Sequence, residues 1–317
     1  MKTKRDFTGT VSILLLILVS FAFVLGGCTP KEKDITLKIG AQNYAEVIIM
    51  AYVAEALIED QTDYNVEVIP RLGSGIVLDQ ALRSKEVDIA SLFFTGGAVG
   101  ILHPDFADEV DLRDPKWRDP DYIWNFLQER VPETQGRKWL PPLGWNNTYA
   151  VTVSRELAEK YNLEKVSDLQ GLSQELIIGM DDAYMDREID GYYPLLELYE
   201  LEPFKQTVSM QINLLYQALK EGQVDVGIAY SSDARIYAYD LVWLEDDRNL
   251  YPPYHAAYGV NLDALERAPE IEEVLGQLSG KIDIETIRRL NYEADINGRD
   301  EKEVALEFLQ EIGLLSQ

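Results

Sequence analysis

The sequence has 317 residues, of which 29 are Lys or Arg and 55 are Asp or Glu, so its formal net charge is −26 at pH 7. Such a charge opposes contact with nucleic-acid phosphates and anionic lipid headgroups, which argues against a nucleic-acid partner and against a basic membrane-binding patch. One cysteine excludes a disulfide within the chain, and two histidines leave little material for a metal centre.

The N-terminus has the pattern of a bacterial lipoprotein signal. Three basic residues within the first five positions precede an apolar run at 11–25, which is short for a permanent membrane span. The run ends on Leu-Gly-Gly followed by Cys28, an order that resembles a lipobox, in which the cysteine thiol receives a diacylglycerol. We therefore expect a signal peptide over 1–27 and a lipidated tether over 28–33, with acyl chains holding the protein on the extracytoplasmic side of the cell membrane. An uncleaved anchor helix with an incidental cysteine is the alternative.

Downstream of the tether, apolar periodicity predicts alternating strands and helices. Apolar runs with period two indicate strands, and apolar residues at helical spacing indicate the intervening helices. The predicted strands are 35–40, 65–71, 87–90, 149–154 and 175–179, and the predicted helices are 46–59, 76–83, 122–130 and 156–161. This alternation is typical of an α/β fold, and about 285 residues are enough for two domains of ordinary size.

A repeat of ten residues links the two halves of the chain. QALRSKEVDI at 80–89 recurs as QALKEGQVDV at 217–226, an offset of 137 residues. A helix that ends in a charged turn and feeds a buried strand in each half predicts two similar α/β lobes, although such a unit is common enough to recur by chance. Because the strand ends of such sheets line ligand crevices, Phe93, Phe94 and Tyr230 are expected to face a shared cleft.

The remaining segments indicate that the chain leaves the first lobe and returns to it. Residues 105–136 have the composition of a surface excursion, the second half begins near residue 145, and an apolar return segment lies near 250–259. A helical pattern over 269–315 is expected to complete the first lobe, and two crossovers make a hinge. The predicted bounds are 34–145 with 252–317 for lobe 1, and 146–251 for lobe 2.

The sequence offers no catalytic constellation. It has no Gly-x-Ser-x-Gly elbow, no phosphate loop with its lysine and no cysteine after residue 28, and its carboxylates lack the spacing of a metal site. The Leu-Gly-Ser-Gly-Ile stretch at 72–76 fits a helix cap better than an anion cradle. We therefore expect a protein that is not an enzyme, with no catalytic residue, no metal and no cofactor.

Aromatic residues stand beside turn and polar residues at four predicted strand ends. These segments are 93–97, 146–149, 229–233 and 251–254. A quaternary ammonium group has no N–H to donate, so a protein holds it against ring faces, each worth about 0.5–2 kcal/mol when desolvated. The four segments predict an aromatic cage for a small cation, although 18 tyrosines in an acidic chain also decorate surface and core.

A series of motifs over about 35–315 resembles the glycine betaine, carnitine and choline binding proteins of osmoprotectant ABC importers. In chain order these are IGAQNYAE at 39–46, LGWNNTYA at 143–150, MDRE at 185–188, DGY at 190–192, QAL at 217–219, AYSSDARI at 229–236, AYDL at 238–241 and PPYHAA at 252–257. Each motif is weak alone, and their order makes the resemblance specific.

The resemblance implies a two-lobed, type II periplasmic-binding-protein-like fold, with a mixed sheet flanked by helices in each lobe and a two-segment hinge. It implies a monomer that captures a small-molecule osmolyte and delivers it to a membrane permease driven by an ATPase. The ligand contacts that it assigns are Gln42, Phe93, Phe94, Thr95, Asn147, Tyr149, Arg187, Tyr230 and Tyr254. A planar guanidinium suits a carboxylate in two-point contact, so Arg187 is expected to meet the acid group of a betaine, with a structural ion pair as the alternative.

Departures from the family pattern leave the ligand open. One residue is inserted at the first aromatic motif, so that either Phe93 or Phe94 meets the cleft. Gly97 replaces a hydroxyl residue, and Ala183 replaces a carboxylate that would orient Arg187. Glycine betaine, carnitine, choline and a cyclic osmolyte such as ectoine all stay open as ligands. So do another small cationic or zwitterionic solute, and a ligand-sensing lipoprotein without transport.

Overall fold

The computed structural model describes residues 35–96, 106, 109–111, 114–185, 187 and 189–315. The predicted signal peptide, the tether with Cys28, and Gly97 lie outside these residues. Among the helices described, none is both long and apolar enough to cross a membrane.

The described residues contain two five-stranded sheets flanked by helices. The strands are β1 Thr36–Gly40, β2 Asn65–Ile69, β3 Ile89–Phe94, β4 Arg137–Trp139, β5 Tyr149–Ser154, β6 Ile177–Met180, β7 Gln206–Ser209, β8 Val226–Tyr230, β9 Leu241–Trp243 and β10 Ala256–Asn261. The helices are α1 Ala45–Gln61, α2 Gly75–Arg83, α3 Pro120–Gln135, α4 Arg155–Tyr161, α5 Asp182–Met185, α6 Tyr192–Tyr199, α7 Ile212–Lys220, α8 Ala234–Ala238, α9 Leu262–Arg267, α10 Glu270–Gly276, α11 Ile284–Asp295 and α12 Glu301–Glu311. Short 3-10 turns occupy Pro115–Arg118, Val166–Leu169 and Ser173–Glu175.

The two sheets have the same topology. The first has the order β2-β1-β3-β10-β4, and the second has the order β7-β6-β8-β5-β9. In each sheet the first three strands run parallel, and the fourth pairs antiparallel with both of its neighbours. The predicted α/β class, with a mixed sheet in each half, is confirmed.

The ten-residue repeat is also a structural repeat. α2 and β3 begin 137 positions before α7 and β8. The N–H of Asp88 donates to the carbonyl oxygen of Lys38 at 2.8 Å, and its carboxylate accepts from the N–H of Lys38 at 2.9 Å. Asp225 makes the same two contacts with Ile177, both at 2.8 Å. The aspartate of each repeat therefore clamps its strand to the neighbouring parallel strand, which explains why Val-Asp recurs at this place.

The C-terminal helices share the core of the first sheet. α1 is buried along most of its length, so it needs packing partners on several sides. Ile287 and Leu290 of α11, together with Phe308 and Leu309 of α12, lie in the same cluster of buried residues as α1. The helical pattern predicted over 269–315 is present, and its apolar side chains pack with the N-terminal strands.

Residues 114–136 are more than the surface excursion that their composition suggests. Helix α3 is longer than the predicted 122–130, because Asp119 caps its first turn by accepting two backbone N–H bonds and Gly136 ends it in the left-handed conformation. Its apolar face is buried in a cluster that also contains Phe93. The buried members from this segment are Trp117, Ile123, Leu127 and Val131. The segment thus encloses one side of the first sheet.

Two crossing segments lie side by side where the chain passes between the sheets. Asn146 and His255 form an antiparallel bridge. The N–H of Asn147 donates to the carbonyl oxygen of Tyr254 at 3.0 Å, and the N–H of Tyr254 donates to Oδ1 of Asn146 at 2.5 Å. The two crossings are therefore fixed to each other, and each brings one predicted site residue to the same place.

Candidate ligand-binding site

A cavity of about 480 Å³ opens where the ends of β3, β5 and β8 meet the two crossings. This volume is within the range of small-molecule pockets, and aromatic and charged side chains make up most of its wall. The lining residues are Gln42, Asn43, Tyr44, Glu46, Phe94, Asn147, Tyr149, Arg187, Ile212, Tyr230, Ser232, Asp233, Arg235, Tyr254, Asn291 and Asp295.

Two tyrosines from neighbouring strands form one wall of the cavity. Tyr149 begins β5 and Tyr230 ends β8, and the antiparallel register places them opposite each other. Their ring centroids are 5.5 Å apart and their planes are inclined by 37°. Tyr184 and Tyr251 are buried behind Tyr149, with ring centroids 5.1 and 5.8 Å from its ring and their hydroxyls 2.8 Å apart. This packing holds the ring of Tyr149 in place.

The structure separates the two phenylalanines that the sequence left open. Successive side chains of a strand point to opposite faces, and here Phe94 lines the cavity while Phe93 lies in the core. The ring of Phe93 packs against Trp139 with centroids 4.9 Å apart. Phe94 is therefore the aromatic residue that this strand brings to the cavity wall.

Thr95 holds the neighbouring segment in position. It is buried, its hydroxyl donates to the carbonyl oxygen of Pro253 at 2.8 Å and accepts from the N–H of His255 at 3.0 Å. A side chain at Gly96 would meet the Pro253 carbonyl oxygen at 2.9 Å and the ring of Tyr254 at 3.0 Å, so glycine permits this close approach. Thr95 is not among the residues that line the cavity, and its hydroxyl fixes the segment that carries Tyr254, so its contact with a ligand stays a prediction.

Arg187 lies at the wall of the cavity and is also part of an ion pair. Its Nε and Nη2 donate to the two carboxylate oxygens of Asp190 at 2.5 and 2.6 Å, and Nη2 also donates to the hydroxyl of Tyr254 at 2.8 Å. Its guanidinium carbon stands 5.1 Å from the ring centroid of Tyr149. The structural ion pair expected as the alternative is present, and contact of Arg187 with a ligand carboxylate stays a prediction. Asp190 provides the orienting carboxylate that the sequence lacks at Ala183.

Glu46 accepts hydrogen bonds from three side chains that lie in two other parts of the chain. It lies in the first turn of α1, is only 2% exposed, and accepts from Nε1 of Trp145 and Nδ2 of Asn147, each at 3.1 Å, and from Nδ2 of Asn291 at 3.0 Å. Asn291 also donates to the carbonyl oxygen of Ser232 at 3.0 Å. These bonds join α1, the first crossing, α11 and the segment after β8 around the floor of the cavity.

A second group of charges lies at the part of the wall formed by α8 and α11. The guanidinium of Arg235 pairs with Asp233 at 2.5 Å and stands 4.4 Å from the ring centroid of Tyr216. The hydroxyl of Tyr216 accepts from the N–H of Tyr230 at 3.1 Å, which ties this group to the aromatic wall. Burial raises the pKa of the Asp295 carboxyl above its ordinary value, and the nearby charge of Asp233 acts in the same direction.

The structure brings together most of the predicted site residues and adds several that were missed. Gln42, Phe94, Asn147, Tyr149, Arg187, Tyr230 and Tyr254 line one cavity. Tyr44 and Glu46 were missed although both lie in the opening motif at 39–46, where their position was a usable signal. Asn291 and Asp295 come from α11, whose sequence carries no local sign of a site.

Comparison with known proteins places the chain in a family. A family model described as the substrate binding domain of ABC-type glycine betaine transport systems matches residues 35–311. The carnitine transport binding protein OpuCC of Listeria monocytogenes is 37% identical over 309 residues, which cover 97% of this chain and 97% of that protein. A glycine-betaine-binding protein of Pseudomonas aeruginosa is 30% identical over 290 residues, 88% of this chain and 89% of that protein.

A solved structure of a glycine betaine/carnitine/choline ABC transporter protein has the same fold. It superposes with a TM-score of 0.77 at 33% identity, and the match covers 88% of this chain and 99% of that one. The family consists of substrate-binding proteins and not of enzymes. The chain belongs to the substrate-binding domains of ABC-type glycine betaine transport systems, and it is the osmoprotectant-binding component of an ABC importer.

Proposed function

We propose that the cavity binds a zwitterion that joins a trimethylammonium group to a carboxylate, as carnitine and glycine betaine do. The observation that carries this proposal is that Phe94, Tyr149, Tyr230 and Tyr254 line the same cavity as the guanidinium of Arg187. Ring faces attract a cation that has no N–H, and a guanidinium attracts a carboxylate. The two curated relatives, one for carnitine and one for glycine betaine, support the same ligand class.

Ligand capture is proposed to close the two sheets about the paired crossings near residues 146 and 255. The proposed lobes are 34–145 with 252–317, and 146–251, as the sequence predicts. Closure completes the cage and presents a single surface to the permease, whose ATPase drives transport. A hinge of two short paired segments lets the sheets move as bodies while Asn147 and Tyr254 keep their mutual contact.

A thermal-shift panel tests the ligand class. Carnitine and glycine betaine are expected to raise the melting temperature, because a ligand at 100 times its Kd stabilises the folded state by about 2.7 kcal/mol. Choline lacks the carboxylate, and ectoine is cyclic and lacks the open-chain ammonium group. These two compounds therefore test the two groups separately. Stabilisation by an unrelated amino acid, with no response to any quaternary ammonium compound, would contradict the proposal.

The protein is further proposed to be a monomer anchored by lipid on Cys28. Cys28→Ala is expected to abolish incorporation of labelled palmitate and to leave the precursor uncleaved, because the thiol is the acceptor atom for the diacylglycerol. Thr29→Ala, one residue further on, should keep its label and serves as the control. Normal labelling of the Cys28→Ala protein would show that the anchor lies elsewhere.

A further inference from the structure

Glu46 is a buried carboxylate whose hydrogen-bond partners are all neutral. Trp145, Asn147 and Asn291 donate to it through N–H groups, and Ser232 contributes a further side-chain hydrogen bond. Both of its oxygens accept, Oε1 from Trp145 and Asn147 and Oε2 from Asn291, an arrangement that suits the ionised form. Its place in the first turn of α1 also favours negative charge, since the N-terminus of a helix is its positive end.

The two basic side chains in the cavity wall are engaged with other acids. Arg187 pairs with Asp190, and Arg235 pairs with Asp233. The charge of Glu46 is therefore balanced by hydrogen bonds and a helix terminus and not by an ion pair. A buried anion in this condition retains much of its attraction for a cation that enters the same cavity, because the low dielectric there screens it little.

Glu46 lines the same cavity as the two tyrosines of the aromatic wall, Tyr149 and Tyr230. Asn147, which donates to Glu46, lies two residues before Tyr149, and Ser232, which is tied to Asn291, lies two residues after Tyr230. The Oδ1 atoms of Asn147 and Asn291 are buried, and among the described residues they have no hydrogen-bond partner. The Nδ2 atoms of both amides donate hydrogen bonds to Glu46. Each amide therefore has one acceptor oxygen without a hydrogen-bond donor near the floor of the cavity.

We propose that Glu46 determines specificity for a cationic headgroup, with its carboxylate as the charge partner of the ligand's ammonium in the aromatic cage. This inference rests on the proposed function, since it names the group that recognises the cationic end of the same ligand. Burial raises the pKa of the Glu46 carboxyl above its ordinary value, while its hydrogen bonds act in the opposite direction and favour the ionised form. An entering cation relieves part of the cost of keeping this charge buried.

A pair of ligands with the same shape and different charge tests this role. In 3,3-dimethylbutanoate a carbon atom replaces the ammonium nitrogen of glycine betaine, so the molecule keeps the carboxylate and the three methyl groups and loses the positive charge. Calorimetric competition would give Kd for both ligands in the wild type and in Glu46→Gln. We expect Glu46→Gln to raise the Kd of glycine betaine by about tenfold or more. The Kd of 3,3-dimethylbutanoate should stay unchanged or fall.

The opposite response of the two ligands separates charge recognition from a structural role. If Glu46 only holds Asn147 and Asn291 in place, its substitution should raise the Kd of both ligands by the same factor. That result would overturn the inference. Glu55→Gln is the matched control, because Glu55 is a second buried carboxylate on α1 and its ion-pair partner is Lys302, at 2.6 Å. The ratio of the two dissociation constants should be unchanged in this variant.

Failure of the inference is distinguishable from failure of the proposed function. A wild type that binds none of glycine betaine, carnitine and choline would refute both. A wild type that prefers glycine betaine to 3,3-dimethylbutanoate, with the same preference in Glu46→Gln, would refute the role of Glu46 and leave the proposed function standing. Equal binding of the two ligands by the wild type would refute the role of Glu46 without any variant. That comparison can therefore overturn the inference even if the buried donors around residue 46 prevent Glu46→Gln from folding.

Discussion

Arg187→Met is expected to weaken the binding of glycine betaine and carnitine by about 2–5 kcal/mol and to affect choline much less. Choline has a hydroxyl in place of the carboxylate, so it loses no charge-assisted contact. Because Nε and Nη2 of Arg187 are committed to Asp190, a ligand carboxylate is expected to meet Nη1. Calorimetry with the three ligands would measure the difference, and equal losses for all three would refute a carboxylate-specific role.

Arg187→Met also breaks the ion pair with Asp190, so the experiment needs a control for the loss of that pair. The side chain of Asp190 is only 4% exposed, so Arg187→Met leaves a buried anion without its partner, at a cost to folding of about 3 kcal/mol. The double variant Arg187→Met with Asp190→Asn removes both charges and should recover most of this stability. The discrimination between carnitine and choline should be lost in the single and the double variant alike.

Tyr230→Ala is expected to weaken binding of any quaternary ammonium ligand by about 1–3 kcal/mol. The substitution removes a ring face from the wall that Tyr230 forms with Tyr149, together with its apolar contact area. Tyr149→Ala and Tyr254→Ala should have losses of similar size. If alanine at all three positions left Kd unchanged, the ligand would have to bind outside this cavity.

Substitution by phenylalanine at the same positions separates the contribution of the ring to binding from that of the hydroxyl. Tyr230→Phe should cost little, because the contact of the Tyr230 hydroxyl with Asp181 is long, at 3.4 Å, and its other partner is the neutral hydroxyl of Tyr149. Tyr254→Phe should cost more, since the hydroxyl of Tyr254 accepts from Arg187 at 2.8 Å and helps to hold that guanidinium. The expected order of losses, measured by the same calorimetry, is thus Tyr230→Phe below Tyr254→Phe.

Local pattern and family resemblance predicted much of the fold and the aromatic part of the site. β5 was predicted with its observed bounds, and the repeat located α2 with β3 and α7 with β8, because these elements have strong local periodicity. The choice between Phe93 and Phe94 was not predictable, since it depends on the register of β3 and on the packing of Trp139 behind it. α3 was predicted too short because its buried face alternates with charged residues.

The polar residues at the floor of the cavity could not be predicted from the sequence. Glu46 and Asn291 are 245 positions apart, and no local rule connects a carboxylate in the first turn of one helix with an amide in another. The sequence left a structural ion pair open for Arg187 without naming its acid, which is Asp190, three residues away. The chain turns tightly at Gly191, where an added Cβ would collide with the carbonyl oxygen of Arg187, so backbone geometry and not spacing decides which carboxylate reaches the guanidinium.

The position of β10 fixes the order in which the molecule can be assembled during synthesis. All strands of the second sheet lie between residues 149 and 243, so that sheet is complete in sequence before β10 has been made. The first sheet contains the N-terminal strands but needs β10 between β3 and β4, and its core also needs the helices that follow. The half of the molecule that is translated first is therefore finished last. Tyr254, Asn291 and Asp295 belong to this final segment, so the wall of the cavity is complete only when the C-terminal helices have packed onto α1.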